Sequence, residues 1–199
     1  MEVIPIKIFK FKELKLKGAF LVEPFVFNDN RGDFIKDYSN IEFKSISKSF
    51  DIKETFYANS KKNVVRGLHF QLHKPQAKMV RCIKGSIYDV IVDIRKDSET
   101  FGHWIGSYLN DENNLMLLIP AGFAHGYLAL SDALVSYKCD ENFYSDGDSG
   151  IKWNDTYLKI DWPTENLADI IISMKDSNLM TFAKYKELNI DSTSKKTKI

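Results

Sequence analysis

From residue 54 to residue 140 the chain runs through one β-rich segment after another, and this succession limits the fold more than any other feature. Runs at 54–58, 63–71, 78–84, 86–94, 115–119, 126–130 and 133–140 are short, favour β-branched and aromatic residues, and are separated by Gly, Asn and Asp turns. Such spacing predicts a mainly β domain, a sandwich or jelly-roll barrel in which each strand turns one face to a shared core. Along 86–94 the two faces separate cleanly: Tyr88, Val90, Val92 and Ile94 on one, Ile87, Asp89, Ile91 and Asp93 on the other. Helical spacing is confined to the flanks, at 40–50, 164–174 and 179–188, which predicts a few helices packed outside the barrel.

At 199 residues and 44% hydrophobic, the chain suffices for one well-buried domain, read as 1–190, with a polar, lysine-rich tail at 191–199. With 28 basic and 27 acidic residues the net charge is +1, so no global field draws the protein to nucleic acid or an anionic membrane, and any anion must be recognised locally. No apolar run approaches membrane-spanning length, and the N-terminal alternation broken by Pro5 is unlike a signal peptide. Cys82 and Cys139 sit in apolar strand patterns without metal-motif spacing. They read as reduced core thiols of a cytoplasmic protein, a buried disulfide being the alternative.

Chemistry concentrates in Val65-Arg66-Gly67-Leu68-His69-Phe70-Gln71, in Lys78, and in Pro120-Ala121-Gly122-Phe123-Ala124-His125. The pattern resembles the metal pocket of cupin barrels, where a strand carries two histidines one residue apart, a glutamate follows, and a Pro-x-Gly-x-x-His turn completes the ligand set. Here Gln71 stands in place of the second histidine and Lys78 about where the glutamate belongs. An ammonium repels a divalent cation and attracts an anion, so this version of the pocket suits a developing oxyanion beside a histidine base.

Each candidate also has an ordinary structural reading. Alternation puts His69 and Gln71 side by side in the cavity, although a lone histidine is commonly satisfied by a carbonyl. Lys78 shares a face with Val80 and Cys82, yet a lysine opening a strand is usually a solvated edge residue. Strict alternation sends Arg66 to the face opposite His69, at a strand end or mouth, to meet a phosphate or a neighbouring carboxylate. Asp89 is either a pocket carboxylate or an edge residue. Tyr137 is either a core phenol or a proton donor at the cavity end. Asp176 reads as a cap for the helix that follows it.

Taken together, Arg31-Gly32-Asp33-Phe34, the 62–71 segment, Lys78-Met79-Val80-Arg81-Cys82, Asp89-Val90-Ile91-Val92-Asp93-Ile94-Arg95 and the 119–126 segment resemble the dTDP-4-dehydrorhamnose 3,5-epimerase family, from about Gly18 to Asp176. The resemblance implies a homodimeric cupin that needs no metal or redox cofactor and acts on a nucleotide-linked 4-keto-6-deoxyhexose. The C4 ketone acidifies the protons at C3 and C5. Carried over by position, His69 resembles the base, Asp176 the carboxylate that orients it, Lys78 the enolate stabiliser and Tyr137 the opposing acid. Arg66 resembles a diphosphate contact, and His125 and Asp89 resemble residues lining the sugar pocket, beside which Gln71 is expected. Arg31 lies in the segment that, in the family, crosses to the partner subunit's nucleotide site.

The chain departs from the family pattern at Lys36, where glutamate is usual, and at 54–58, Glu-Thr-Phe-Tyr-Ala, where Gln-x-Asn-x-Ser is usual. Either Phe143 or Tyr144 falls on a family tyrosine. A GDP-linked keto-heptose epimerase is therefore a second reading. Readings of another class are a metal-dependent isomerase or dioxygenase ligated by His69, His73 and His125, which needs Lys78 turned outward, and a non-catalytic sugar-binding cupin.

Overall fold

The computed structural model describes residues 8–46, 50–165 and 169–188. The 191–199 tail and the N-terminal heptapeptide lie outside the described residues.

Two antiparallel sheets face each other. One has the order β1 (Lys10–Glu13), β2 (Phe20–Glu23), β10 (Met116–Ile119), β7 (Lys78–Lys84), β12 (Ala133–Cys139) and β5 (Glu54–Ser60). The other has the order β13 (Asp148–Gly150), β6 (Val65–Gln71), β11 (Phe123–Ala129), β8 (Ser86–Asp93) and β9 (Trp104–Asn110). Apart from β1–β2 and β8–β9, neighbours in the sheets are far apart in sequence, as in a jelly roll. A separate hairpin of β3 (Phe25–Asp29) and β4 (Gly32–Lys36) stands apart from both sheets.

Three apolar layers follow from the alternation. Between the sheets lie Val80, Cys82, Leu117, Val135 and Tyr137 from one side and Ile87, Ile91, Leu109, Phe123 and Tyr127 from the other. Outside the five-stranded sheet, Val65, Leu68, Phe70, Val90 and Val92 are covered by Leu158, Trp162, Phe182 and Tyr185. Outside the six-stranded sheet, Met79, Met116 and Leu118 are covered by Phe9, Phe43 and Phe50. Phe43 comes from α1 (Asn40–Ile46), the first expected flanking helix. Cys82 and Cys139 are both buried and free.

The helix expected at 164–174 does not form in its described part. Ile171 instead bridges to Val64, accepting from the Val65 N–H and donating to the Asn63 carbonyl, each at 2.9 Å. Unpaired edge groups of the chain entering β6 outweigh the local helical spacing. A helix starts only at α2 (Met174–Ser177), where the Ser173 side chain accepts from the Asp176 N–H. The third expected helix shortens to α3 (Phe182–Glu187), capped by Thr181. Strands β1 to β4, β9 and β13 were not among the segments read from the sequence. Their apolar residues alternate weakly, and only Leu109 is fully buried in β9.

At one end of the barrel, Asp93 ties down the loop that follows β8. It accepts from Arg95 at 2.8 and 2.7 Å, from Ser98 at 2.6 Å and from Thr100 at 2.6 Å. Burial alone raises a carboxyl pKa; these four donors and the Arg95 N–H outweigh it and hold Asp93 at about 2. The Ile94 N–H then donates to the Gly122 carbonyl, which ties this loop to the Pro-Ala-Gly turn before β11.

Candidate active site

The central strands β6 and β11 pair His69 with His125 and Arg66 with Tyr127, so β6 spends one extra residue between the two pairs. This bulge is centred on Gly67, at φ 113°, opposite Gly126. A Cβ on Gly67 would lie 2.7 Å from the Gly126 Cα, and one on Gly126 would lie 2.5 Å from the Arg66 carbonyl oxygen. Glycine at both positions is what lets the backbones approach.

The bulge corrects the expectation for Arg66. Paired residues of an antiparallel ladder share a face, and Tyr127 and Ile91 belong to the inter-sheet core. The extra residue reverses the parity, so Arg66 and His69 both face inward. The competing ion pair does not form among the described residues either. Arg66 Nε donates to Ser60 Oγ at 2.9 Å and Nη2 to the Asn59 carbonyl at 3.1 Å, while Ser60 Oγ meets the Tyr127 hydroxyl at 2.7 Å. The guanidinium is held along one side and left open along the other.

His69 meets Asp176 across the chain, Nε2 to Oδ1 at 2.9 Å, and the Gly67 N–H donates to Oδ2 at 3.1 Å. Asp176 is therefore not a cap for the helix after it. It lies inside α2, and Ser173 is the cap. Burial works to raise the Asp176 pKa, but the bonds with His69, Gly67 and Ser173 outweigh it and hold the carboxyl below 3.8. An ionised carboxylate only accepts, so Nε2 carries the hydrogen, and in the neutral ring the lone pair is then on Nδ1.

From the same face, His125 Nε2 meets Asp89 Oδ2 at 2.8 Å, with both side chains buried. Asp89 is thus buried inside the barrel and is not an edge residue; its Oδ1 is buried and has no hydrogen-bond partner among the described residues. The imidazole of His125 approaches Tyr137 edge-on at 5.8 Å and 70°, which joins the two sheets across the cavity.

Tyr137 lies between its strand partners Val80 and Phe56. Its ring stacks on Phe56 at 4.6 Å and 11°. Burial, reinforced by Tyr127 and Asp89, pushes its pKa well above 10.0, so the phenol keeps its proton. Lys78 opens β7 beside Cys139 of β12 and Ile119 of β10. It is partly buried and forms no ion pair among the described residues. Burial pushes its ammonium below the ordinary 10.5, against the pull of Cys139, Asp148 and Glu54.

Two candidates stand elsewhere. Gln71 does not offer its amide to the cavity: Nε2 donates to the Lys74 and Asn142 carbonyls at 3.0 and 3.2 Å, and Oε1 accepts from the Tyr144 N–H at 2.6 Å. It binds the 74 and 142–144 loops together, and Glu54 assists by accepting from the Phe143 N–H at 2.8 Å. Arg31 sits at the tip of the β3–β4 hairpin, exposed and paired with Asp29, and is not brought to the other candidates within one chain.

Residues that sequence reasoning missed lie on the inner face of β5: Phe56 against Tyr137, and Ser60 under Arg66. Alternation along 54–60 was the available signal. The alternative metal set does not assemble. His73 is exposed, His69 and His125 are each tied to a carboxylate, and no three His, Cys, Asp or Glu side chains converge among the described residues. A cleft of about 950 Å³ between Lys15, Lys17, the 95–100 loop and Tyr185 shares only Gln71 with the candidate set. The inner surface thus offers a nitrogen base, an ammonium and a protonated phenol, which together can remove a proton, hold the resulting negative charge and return a proton.

The dTDP-4-dehydrorhamnose 3,5-epimerase family model matches residues 13–184. The dTDP-4-dehydrorhamnose 3,5-epimerase of Methanothermobacter thermautotrophicus is 47% identical over 171 residues, 85% of this chain and 92% of that protein. Among solved structures, dTDP-6-deoxy-D-glucose-3,5-epimerase of Legionella pneumophila in complex with dTDP-4-keto-L-rhamnose superposes with a TM-score of 0.83 at 32% identity, covering 87% of this chain and 92% of that one. A 3'-monoepimerase from Streptomyces bikiniensis in complex with dTDP-quinovose gives 0.82 at 28% identity, covering 89% and 90%. The two facing sheets that carry His69, Lys78 and Tyr137 are therefore set in a barrel that matches these enzymes over most of its length, and the chain belongs to the dTDP-4-dehydrorhamnose 3,5-epimerase family.

Proposed function

We propose that this protein is an isomerase that epimerises a dTDP-linked 4-keto-6-deoxyhexose at carbons flanking the ketone, in deoxysugar or surface-polysaccharide synthesis. The observation that carries this reading is the His69–Asp176 pair on one sheet, beside the strand whose His125 packs against Tyr137 of the opposite sheet, where Lys78 opens the neighbouring strand. Loss of a proton from C3 or C5 gives an enolate whose charge resides on the C4 oxygen. His69 Nδ1 takes the proton, with Asp176 fixing the ring and balancing the imidazolium that forms. Lys78 holds the enolate oxygen as its charge develops. Tyr137 donates its proton to the opposite face of the same carbon; solvent then takes the proton from the His69 imidazolium and restores the phenol. Each step is a proton transfer, so electrons are conserved without an oxidant.

Arg66 takes the diphosphate along its open edge, and His125 with Asp89 lines the sugar pocket. Gln71 serves the site indirectly, by holding the loops at its rim. The active form is a homodimer in which the β3–β4 hairpin carries Arg31 to a second copy. The directly paired and exposed Phe27 and Phe34 on that hairpin support it. Among the described residues no helix is long and apolar enough to cross a membrane, and the free buried cysteines fit a reducing cytoplasm. Deuterium uptake at C3 or C5 of the keto sugar in heavy water tests the reading.

A further inference from the structure

We infer that Phe56 is a positioning residue for the acid Tyr137, so that it governs whether a proton removed by His69 is replaced with inversion. The inference rests on the epimerase reading and goes beyond it.

Tyr137 has no hydrogen bond to hold its hydroxyl among the described residues, so only packing can orient the phenol. Its ring is enclosed on three sides, by Val80 within the sheet, by His125 edge-on from the opposite sheet, and by Phe56. Val80 and His125 are buried parts of the barrel wall. Phe56 differs from them. It lies on β5, the edge strand of its sheet, and is 41% exposed, so much of its ring buries nothing. What the ring does is cover one face of Tyr137 in a near-parallel stack, 11° between planes. Without it, the side of Tyr137 toward the sheet edge opens to water, and the phenol can rotate away from the carbon it must protonate.

His69 does not depend on this stack, because Asp176 of α2, itself held by the Gly67 N–H, fixes its ring. Proton abstraction and return by His69 alone exchanges hydrogen with solvent on one face and retains configuration. Inversion requires Tyr137 to deliver from the other face. Loosening Tyr137 therefore separates the two rates.

The test follows dTDP-4-keto-6-deoxyglucose in heavy water by NMR, recording deuterium uptake at C3 and C5 and the appearance of inverted product. Wild type, Phe56→Ala, Phe56→Leu and Phe56→Tyr are compared, with thermal melts to verify folding. The inference predicts a lower ratio of inversion to exchange, by about 2- to 10-fold in the Ala and Leu variants, the scale of one aromatic pair. Phe56→Tyr retains the stack and should restore the ratio. An unchanged ratio, with both rates falling together or with only KM rising, overturns the role of Phe56 and leaves the epimerase reading intact. A wild type that exchanges neither position overturns the epimerase reading itself.

Discussion

His69 and Asp176, 107 residues apart, meet at 2.9 Å, and the second oxygen of the same carboxylate is held by the backbone N–H of Gly67, two residues before the histidine. One carboxylate thus fixes both the ring and the strand that carries it. Asp176→Asn keeps the shape but can donate to Nε2, which favours the tautomer with its lone pair turned away from the substrate. The expected result is a loss of kcat on the order of 10² to 10⁴ with KM little changed, measured by steady-state kinetics. An equal fall in binding would indicate that Asp176 shapes the pocket instead.

The role proposed for Lys78 comes with a cost in stability. Its folded pKa lies below 10.5, so the charged form is disfavoured in the native state, and the penalty is complete below that lowered value. As pH rises through the folded value towards the unfolded one, the penalty disappears. Lys78→Met should lower kcat by roughly 10²- to 10³-fold, the range for losing a principal oxyanion donor. It should also resist urea better than wild type at pH 7, with the advantage shrinking as the pH approaches 10.5. A variant that is both inactive and less stable would contradict this assignment.

Arg66 is held by Ser60 and Asn59 along one side of its guanidinium. Arg66→Lys removes the fork that recognises a diphosphate while conserving charge. Calorimetric binding of dTDP should weaken by about 10- to 100-fold, with thymidine binding unaffected, as expected for losing hydrogen bonds to a charged group. Ser60→Ala should give a smaller loss in the same direction.

The β3–β4 hairpin pairs Phe27 directly with Phe34, and both are exposed, at 51% and 61%. Exposed aromatics of this kind on a projecting hairpin mark a surface awaiting a partner. Replacing both with serine should shift sedimentation at micromolar concentration from dimer towards monomer. Unchanged sedimentation would contradict the dimer contact proposed for this hairpin.

Much of the barrel was legible because alternation is a local property: the segments at 78–84, 86–94 and 133–140 form strands at Lys78–Lys84, Ser86–Asp93 and Ala133–Cys139. The correct side for Arg66 was not, because the bulge depends on how β6 pairs with β11, although both glycines were in view. Asp176 looked like a cap because sequence shows only its neighbours, whereas its partner is on β6. Gln71 was expected beside His69 in the cavity, yet its amide is taken up by loop carbonyls and an N–H whose positions only the fold determines. The 164–174 segment had helical spacing, but Ile171 pairs with Val64 at a sheet edge, and tertiary pairing prevailed over local preference.

The central claim is that His69 removes a proton beside a ketone in a dTDP-linked sugar. Its most direct test is NMR of dTDP-4-keto-6-deoxyglucose in heavy water with wild type and His69→Asn, alongside GDP-, CDP- and UDP-linked 4-keto sugars. The account predicts deuterium at C3, C5 or both with wild type, fastest for the dTDP sugar, and loss of that uptake in His69→Asn. Exchange that survives His69→Asn, or no exchange with any of the four nucleotide-linked sugars, would contradict it.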